Sequence, residues 1–126
     1  MNFPDNLKYT KDHEWIRIEG ETGTIGITDY AQGELGDVVF VELPPVGKSV
    51  KQHDTFGTIE AVKAVSDLYA PMSGSVTDVN AAVAAAPDAV NKDPYGKGWL
   101  VKVKLSIPAE AAGLLDAAAY RVLVGK

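Results

Sequence analysis

The feature that most constrains this chain is a short internal repeat. Val41–Gly47 and Leu68–Gly74 each place two apolar residues ahead of a proline and a glycine, at a constant offset of 27 residues (71 − 44 and 74 − 47). An apolar run that stops at proline and turns at glycine is typical of a strand followed by a turn. The repeat therefore predicts two related strand–turn units that pair as halves of a small sandwich.

Lys63 lies in the connection between these two units, with Glu60 three residues before it. The apolar residues from Phe56 to Leu68 fit both an alternating strand and a helical stripe, and no Asn-Gly or Asp-Gly pair marks a turn near the lysine. Periodicity alone therefore leaves the local structure open. If the two units pair, Lys63 falls at an exposed hairpin tip.

Further strands are predicted on both sides of the repeat. Glu14–Ile18 alternates, which directs Ile16 and Ile18 inward, and a turn at Gly20–Gly23 returns the chain into Thr24–Ile27. Other runs that alternate or are rich in β-branched residues also predict strands. These runs are Val38–Leu43, Gly74–Val79 and Trp99–Leu105.

The predicted helices are short. Thr28 or Asp29 is expected to cap a helix that ends before Gly36, the run Ala81–Ala86 favours a brief helix, and Pro108 is expected to start another. Near the C-terminus, five residues recur at helical spacing and predict an amphipathic helix packed on the sheets. They are Leu115, Ala118, Ala119, Val122 and Leu123.

The composition excludes several classes of function. A net charge of −5 with dispersed lysines argues against nucleic acid and anionic membrane surfaces as partners. The absence of cysteine excludes disulfides, thiolate nucleophiles and cysteine-ligated metals. No apolar run approaches the ~18 residues that a membrane span needs, and the N-terminus lacks the features of a signal peptide. We therefore expect a cytoplasmic monomer formed by a single domain of residues 1–126.

No arrangement of residues predicts catalysis or metal binding. His13 and His53 are far apart, and the acids beside His13 belong to a predicted strand, in which alternate side chains point to opposite faces. No serine stands in a Gly-x-Ser-x-Gly motif, and no phosphate-binding loop or dinucleotide motif occurs. We therefore expect neither a metal site nor a self-sufficient enzyme.

Lys63 is the remaining candidate for chemistry. Most lysines are solvated surface residues, so a free lysine on an unmodified interaction module is one interpretation. The second is suggested by its small apolar neighbours, Val62 and Ala64, which leave the amine accessible. An exposed ammonium is the handle that a partner enzyme needs to form an amide. The residues alone leave both interpretations open.

Seven stretches of the chain stand in a specific order and spacing. They are Tyr9–Trp15, Gly26–Gln32, Leu35–Pro44, Glu60–Asp67, Ala70–Gly74, Asn91–Trp99 and Leu114–Tyr120. Together they closely resemble the H proteins of the glycine cleavage system, and the resemblance covers essentially the whole chain.

The resemblance implies a carrier with lipoate joined by an amide to Lys63. It implies a mainly β hammerhead fold, a barrel-sandwich hybrid of two antiparallel sheets, with the lysine on a tight hairpin turn, short peripheral helices and a C-terminal helix. It also implies which residues the lipoyl-attaching enzyme recognises. These are Glu60, three residues before the lysine, and Gly47 and Gly74, sixteen before and eleven after it.

The resemblance further implies a substrate of partner enzymes rather than a catalyst. Glycine decarboxylase (P protein) would load an aminomethyl group, a tetrahydrofolate-dependent aminomethyltransferase (T protein) would remove it, and dihydrolipoyl dehydrogenase (L protein) would take the electrons. The loaded arm of the family folds into a cleft, where the matching positions are Glu14 and Asp67. We expect these acids to pair with the ammonium of the cargo, the alternative being exposed acids at strand ends.

Two rival carrier functions remain. A biotin carrier would share the exposed lysine, but that family brackets it with methionines, whereas Val62 and Ala64 stand here. A lipoyl relay, which passes the arm to other carrier domains, is compatible with every residue named above.

Overall fold

The computed structural model describes all 126 residues and contains nine β-strands. They are β1 (Lys8–Tyr9), β2 (Glu14–Glu19), β3 (Thr22–Ile27), β4 (Val38–Glu42), β5 (Ser49–Val50), β6 (Thr55–Ala61), β7 (Val65–Tyr69), β8 (Gly74–Val79) and β9 (Val101–Leu105). One sheet has the order β1-β2-β3-β9-β8-β5 and the other the order β4-β6-β7, and all pairs are antiparallel. The mainly β architecture of two antiparallel sheets is confirmed.

The helices are short, as predicted. They are α1 (Asp29–Leu35), α2 (Ala81–Ala85), α3 (Ala89–Lys92), a 3-10 helix (Pro108–Gly113) and the C-terminal α4 (Ala117–Val124). Thr28 caps α1 by accepting the Ala31 N–H, and Gly36 ends it with a φ of 80°. None of these helices is long and apolar enough to cross a membrane.

The main core lies between the two sheets. Val41, Ile59 and Leu68 of the smaller sheet pack in one cluster of 18 buried residues with side chains such as Ile25 and Val103 of the larger sheet. A second cluster of six buried residues lies between the N-terminal segment and α4. The first half of β2 lies between the two clusters, with Ile16 in the main core and Trp15 in the second cluster, so these adjacent residues are both inaccessible to solvent.

The 27-residue repeat corresponds to equivalent strands. β4 spans Val38–Glu42 and β7 spans Val65–Tyr69, so the bounds of the two strands differ by 27 residues at both ends. Each strand belongs to the smaller sheet, and each is followed by a strand of the larger sheet, β5 or β8. β5 and β8 pair with each other, while β4 and β7 flank β6. The predicted pairing of two related units is therefore present.

The first hairpin is confirmed, but one of its predicted core residues is wrong. Glu19 pairs with Thr22, so the turn contains only Gly20 and Glu21. Ile16 is buried, whereas Ile18 is 36% exposed. Its partner across the hairpin is a glycine, Gly23, which has no side chain to cover it.

The predicted apolar face of the C-terminal helix is also wrong. Val122 is 83% exposed and Leu123 47%, and the two alanines of the predicted face are exposed as well. The buried residues of α4 are Ala117 and Tyr120. Tyr120 stacks on Tyr9 with ring centroids 4.8 Å apart, so the helix packs against an aromatic cluster that a search for aliphatic residues overlooks.

Candidate functional site

Lys63 lies on the tight turn of the β6–β7 hairpin. The Ala61 N–H donates to the Ala64 carbonyl over 2.8 Å, which leaves Val62 and Lys63 as the two loop residues. The Val62 N–H donates to the Asp37 carbonyl over 3.0 Å and ties the tip to the chain before β4. The Lys63 side chain is exposed and forms neither an ion pair nor a hydrogen bond. The sequence therefore folds into a tight, hydrogen-bonded turn that presents a free amine.

The geometry of this turn explains why the sequence carries no turn signal. Asn-Gly and Asp-Gly pairs mark hairpin turns in which central residues need positive φ. Neither Val62 nor Lys63 has positive φ. Ordinary residues therefore suffice here, and the hairpin was indicated by the repeat and by the family resemblance rather than by turn residues.

The aliphatic part of Lys63 lies against Gly36, the residue that ends α1. A Cβ atom built on Gly36 would lie 2.9 Å from Cε of Lys63, closer than real Cβ contacts come. The φ of 80° and ψ of −156° at Gly36 also belong to a region that only glycine adopts readily. This glycine therefore opens the space along which the lysine chain lies.

A cleft of about 260 Å³ is lined by residues of the elements that meet at this contact. Glu34 and Leu35 belong to α1, and Ser66 and Asp67 belong to β7. Leu35 precedes Gly36 in the chain, and Ser66 follows Lys63 by three residues. The lysine is therefore close in the chain to residues that line the cleft.

Glu14 forms part of the cleft wall and is only 2% exposed. Its Oε1 accepts the Thr10 hydroxyl over 2.8 Å, and its Oε2 accepts the Tyr69 N–H over 3.3 Å. Burial raises the pKa of Glu14 to about 8, in spite of the hydrogen bonds, which lower it. Glu14 is therefore a buried carboxyl group that is mostly protonated at neutral pH, and its interpretation as an exposed strand-end acid is wrong.

Asp67 faces the same cleft from the exposed strand β7. It pairs across the sheet with Thr58 and makes no salt bridge. Two acids that are 53 residues apart in sequence (67 − 14) therefore share one cleft, one of them buried and one exposed.

His13 also lines the cleft and was not predicted as a site residue. Its φ of 70° shows that the strand begins after it, so the expectation that Asp12, His13 and Glu14 alternate within one strand is wrong. The Tyr120 hydroxyl lies 2.8 Å from both Nδ1 of His13 and Oγ1 of Thr28. Burial lowers the pKa of His13, which favours a neutral ring. Nothing in the local sequence reveals this long-range contact.

The two glycines of the repeat have evident backbone roles. Gly47 has a φ of 95°, and its N–H donates to the Val76 carbonyl over 2.7 Å. Gly74 is buried at the start of β8, where a Cβ would collide with the Lys104 carbonyl. Gly47 follows β4 and Gly74 follows β7, in each case beyond the end of the strand that is farther from the Lys63 turn. Each is therefore required by its local geometry.

The outer surface beside the turn is acidic and apolar. Glu60 is exposed between Phe40 and Val65 on the neighbouring strands, which are also exposed. Lys63 is the only basic residue from Asp54 to Asn91. The structure contains no group of three or more histidine or acidic side chains that could hold a metal ion.

Comparison with known proteins connects this geometry to a family. Residues 7–126 match the family model described as glycine cleavage H-protein. The glycine cleavage system H protein of Chlorobium luteolum is 59% identical over 127 residues, which cover 99% of each chain. That of Bacteroides thetaiotaomicron is 55% identical, with 98% of each chain covered.

A solved structure agrees with the sequence comparisons. The crystal structure of a glycine cleavage system H protein from Mycobacterium marinum superposes with a TM-score of 0.91 at 42% identity, over 98% of this chain and 100% of that one. The agreement of sequence and fold over the full length shows that this chain belongs to the glycine cleavage system H protein family.

Proposed function

We propose that this chain, as a single domain of residues 1–126, is the lipoyl carrier of a glycine cleavage system, with lipoate joined by an amide to Nζ of Lys63. The observation that carries the proposal is the free amine of Lys63 on a tight turn that joins two strands, β6 and β7, whose residues help to line a cleft. When bound, lipoate supplies a dithiol–disulfide pair that carries a one-carbon group and electrons. The polypeptide itself contributes no thiol.

The lining of the cleft suits the arm. Its volume of about 260 Å³ lies just below the range of about 300–1,000 Å³ that is typical of small-ligand pockets. Ala31, Leu35, Ile59 and Leu68 offer apolar surface to an aliphatic chain. The absence of a side chain at Gly36 leaves room where the lysine chain passes. These residues would hold the arm and keep water from it.

Glu14 and Asp67 are proposed to pair with a cationic amine on the arm. Alone, Glu14 retains its proton at neutral pH, because a buried carboxylate is poorly solvated. A positive charge within about 4–6 Å favours the ionised form of a carboxyl group. A cationic cargo would therefore lower the pKa of Glu14 and be held by the resulting charge. Asp67 would add a second negative charge from the open side.

Glu60, Gly47 and Gly74 are proposed to direct the lipoyl-attaching enzyme to Lys63. Glu60 is exposed on the strand that leads into the turn, so it suits direct contact with that enzyme. Gly47 and Gly74 are proposed to act through the backbone. They permit the turn after β4 and the close approach of β8 to β9, which together support the hairpin.

The proposed partners are those of glycine cleavage. Glycine decarboxylase, the aminomethyltransferase and dihydrolipoyl dehydrogenase would act on the arm in turn, and the carrier would be a substrate of each. A tethered arm raises the effective concentration of its reactive end at each docked active site. The carrier needs no catalytic residue for this role, and we propose that it acts in the cytoplasm.

Reconstitution of glycine decarboxylation tests this function. Lys63→Arg keeps the positive charge but removes the primary amine, so we expect complete loss of carbon dioxide release. Lys48→Arg, an exposed lysine on the turn before β5, is the matched control and should retain full activity. Equal activity of Lys63→Arg and wild type would contradict the proposal. Loss of lipoylation on other carriers in Lys63→Arg cells, with decarboxylation intact, would instead indicate a relay.

A further inference from the structure

The segment Asn91–Trp99 is part of the family resemblance, yet the proposed function assigns it no task. The structure places two of its side chains at opposite ends of α1. This helix forms one side of the cleft and ends at Gly36, the residue that contacts Lys63. The segment therefore bears on the geometry of the site without touching the lysine.

Asn91 holds the C-terminal end of α1 with one side chain. Its Nδ2 donates to the Gly36 carbonyl over 2.8 Å and to Oε1 of Gln32 over 3.1 Å. Its Oδ1 accepts the Val38 N–H over 2.9 Å. All three bonds are partly buried. Asn91 thus joins the end of the helix to the start of β4, which pairs with the lysine-bearing hairpin.

Tyr95 holds the N-terminal end. Its hydroxyl accepts the Asp29 N–H over 2.9 Å and donates to the Asn2 carbonyl over 2.6 Å. Its ring lies 6.0 Å from that of Trp15 between centroids. The first N–H groups of a helix have no partner within the helix. Tyr95 therefore supplies the acceptor that the Asp29 N–H needs.

α1 depends on these contacts because it has little core packing of its own. None of its seven residues is buried; Ala31 and Leu35 pack partly against the main core and Tyr30 against the second cluster. A helix of this length is unstable without tertiary contacts. The hydrogen bonds at its two ends therefore add to a partial packing and help to fix its position as a cleft wall.

We propose that Asn91 and Tyr95 are positioning residues that together hold α1 as a fixed wall of the cleft and keep Gly36 against the Lys63 side chain. The effect on the lipoyl arm rests on the proposed function, whereas the effect on the position of α1 does not. Loss of either contact is expected to loosen α1 and to expose the cleft to water.

Hydrogen exchange of the unmodified protein tests the first part. In Asn91→Ala we expect the amides of Gln32 and Gly36, which bond within α1, to exchange about tenfold faster, equivalent to about 1.4 kcal/mol. Ser73→Ala is the matched control. The Ser73 hydroxyl accepts the Gln52 N–H over 2.9 Å and donates to Oε2 of Glu110 over 2.8 Å, but it bonds neither to α1 nor to the segment Asn91–Trp99. The control variant should lower the free energy of global unfolding without selectively accelerating amide exchange in α1.

Unchanged exchange in Asn91→Ala, or equal acceleration in both variants, would overturn the proposal. Tyr95→Phe retains the ring and provides a milder variant in case Asn91→Ala fails to fold. It should accelerate exchange at the Asp29 amide, and unchanged exchange there would count against the role of Tyr95.

The second part is measured on the lipoylated carrier. We expect the cargo-loaded arm of Asn91→Ala to hydrolyse several-fold faster than that of Ser73→Ala. Equal hydrolysis together with selective loosening of α1 would overturn the link to the arm while leaving the holding role intact. Failure of the wild-type chain to accept lipoate would refute the proposed function instead, and the exchange result would still stand.

Discussion

Substitution of Glu14 by glutamine should change the pH dependence of stability. The folded protein retains the Glu14 proton up to about pH 8, whereas the unfolded chain releases it near 4.5. Unfolding between these values therefore releases a proton, and the free energy of unfolding falls as the pH rises. The slope is about 1.4 kcal/mol for each pH unit, so the whole effect is on the order of 5 kcal/mol.

Glu14→Gln removes the titrating group and should remove this slope. Urea unfolding followed by tryptophan fluorescence at pH 5 to 9 gives the free energy of unfolding of each variant. The wild type should lose stability relative to Glu14→Gln from pH 5 to 8, with no further relative change above that range. Glu60→Gln, the same change at an exposed acid, should leave the slope of the wild type unaltered. Parallel curves for wild type and Glu14→Gln would refute the burial argument.

Three further substitutions test the surrounding geometry. Gly36→Ala should destabilise the protein by about 1–3 kcal/mol and slow lipoylation, since it combines a strained backbone with a contact to Lys63; an unchanged urea midpoint would contradict this. Gly74→Ala should cost about 1–3 kcal/mol through its collision with the Lys104 carbonyl, and an unaltered thermal midpoint would count against that contact. Tyr120→Phe should cost about 1 kcal/mol and change the His13 titration seen by NMR, and identical titration curves would exclude the contact.

The architecture was largely predictable from the sequence because its signals are local. Alternating or β-branched runs located β2, β3, β4, β8 and β9, and the 27-residue repeat indicated that β4 and β7 are related, whereas β1 and β5 were not predicted. Thr28 and Gly36 marked the ends of α1, because caps act through the adjacent backbone. The runs and the caps both depend on residues close in sequence.

Burial was predicted less well where it depends on residues distant in sequence. Alternation placed Ile18 inward, but cover depends on the facing residue, which is Gly23. The C-terminal helix packs through Tyr120, whose partners include Phe3 and Tyr9 near the other end of the chain. Periodicity within one helix cannot reveal which of its residues meets such a cluster.

In the candidate site, too, features with a local signal were predictable and features that depend on distant residues were not. Lys63 was a candidate for modification because its small apolar neighbours leave the amine accessible. Its hairpin uses a turn without glycine or asparagine, so no turn residue predicted it. Glu14 is buried and bonds to the Tyr69 N–H, 55 residues away, so the burial that raises its pKa has no signal in the local sequence. The roles of Asn91 and Tyr95 at α1 likewise appear only when the chain is folded.

The central claim is that Lys63 is the point of covalent attachment. The most direct test is the intact mass of the protein purified from lipoate-sufficient cells of its native source, followed by mass analysis of the peptide that contains Thr58–Pro71. We predict one lipoyl increment, confined to Lys63 and absent from Lys63→Arg. A biotinyl increment would identify a biotin carrier, and an unmodified chain would contradict the account and leave an interaction module in its place.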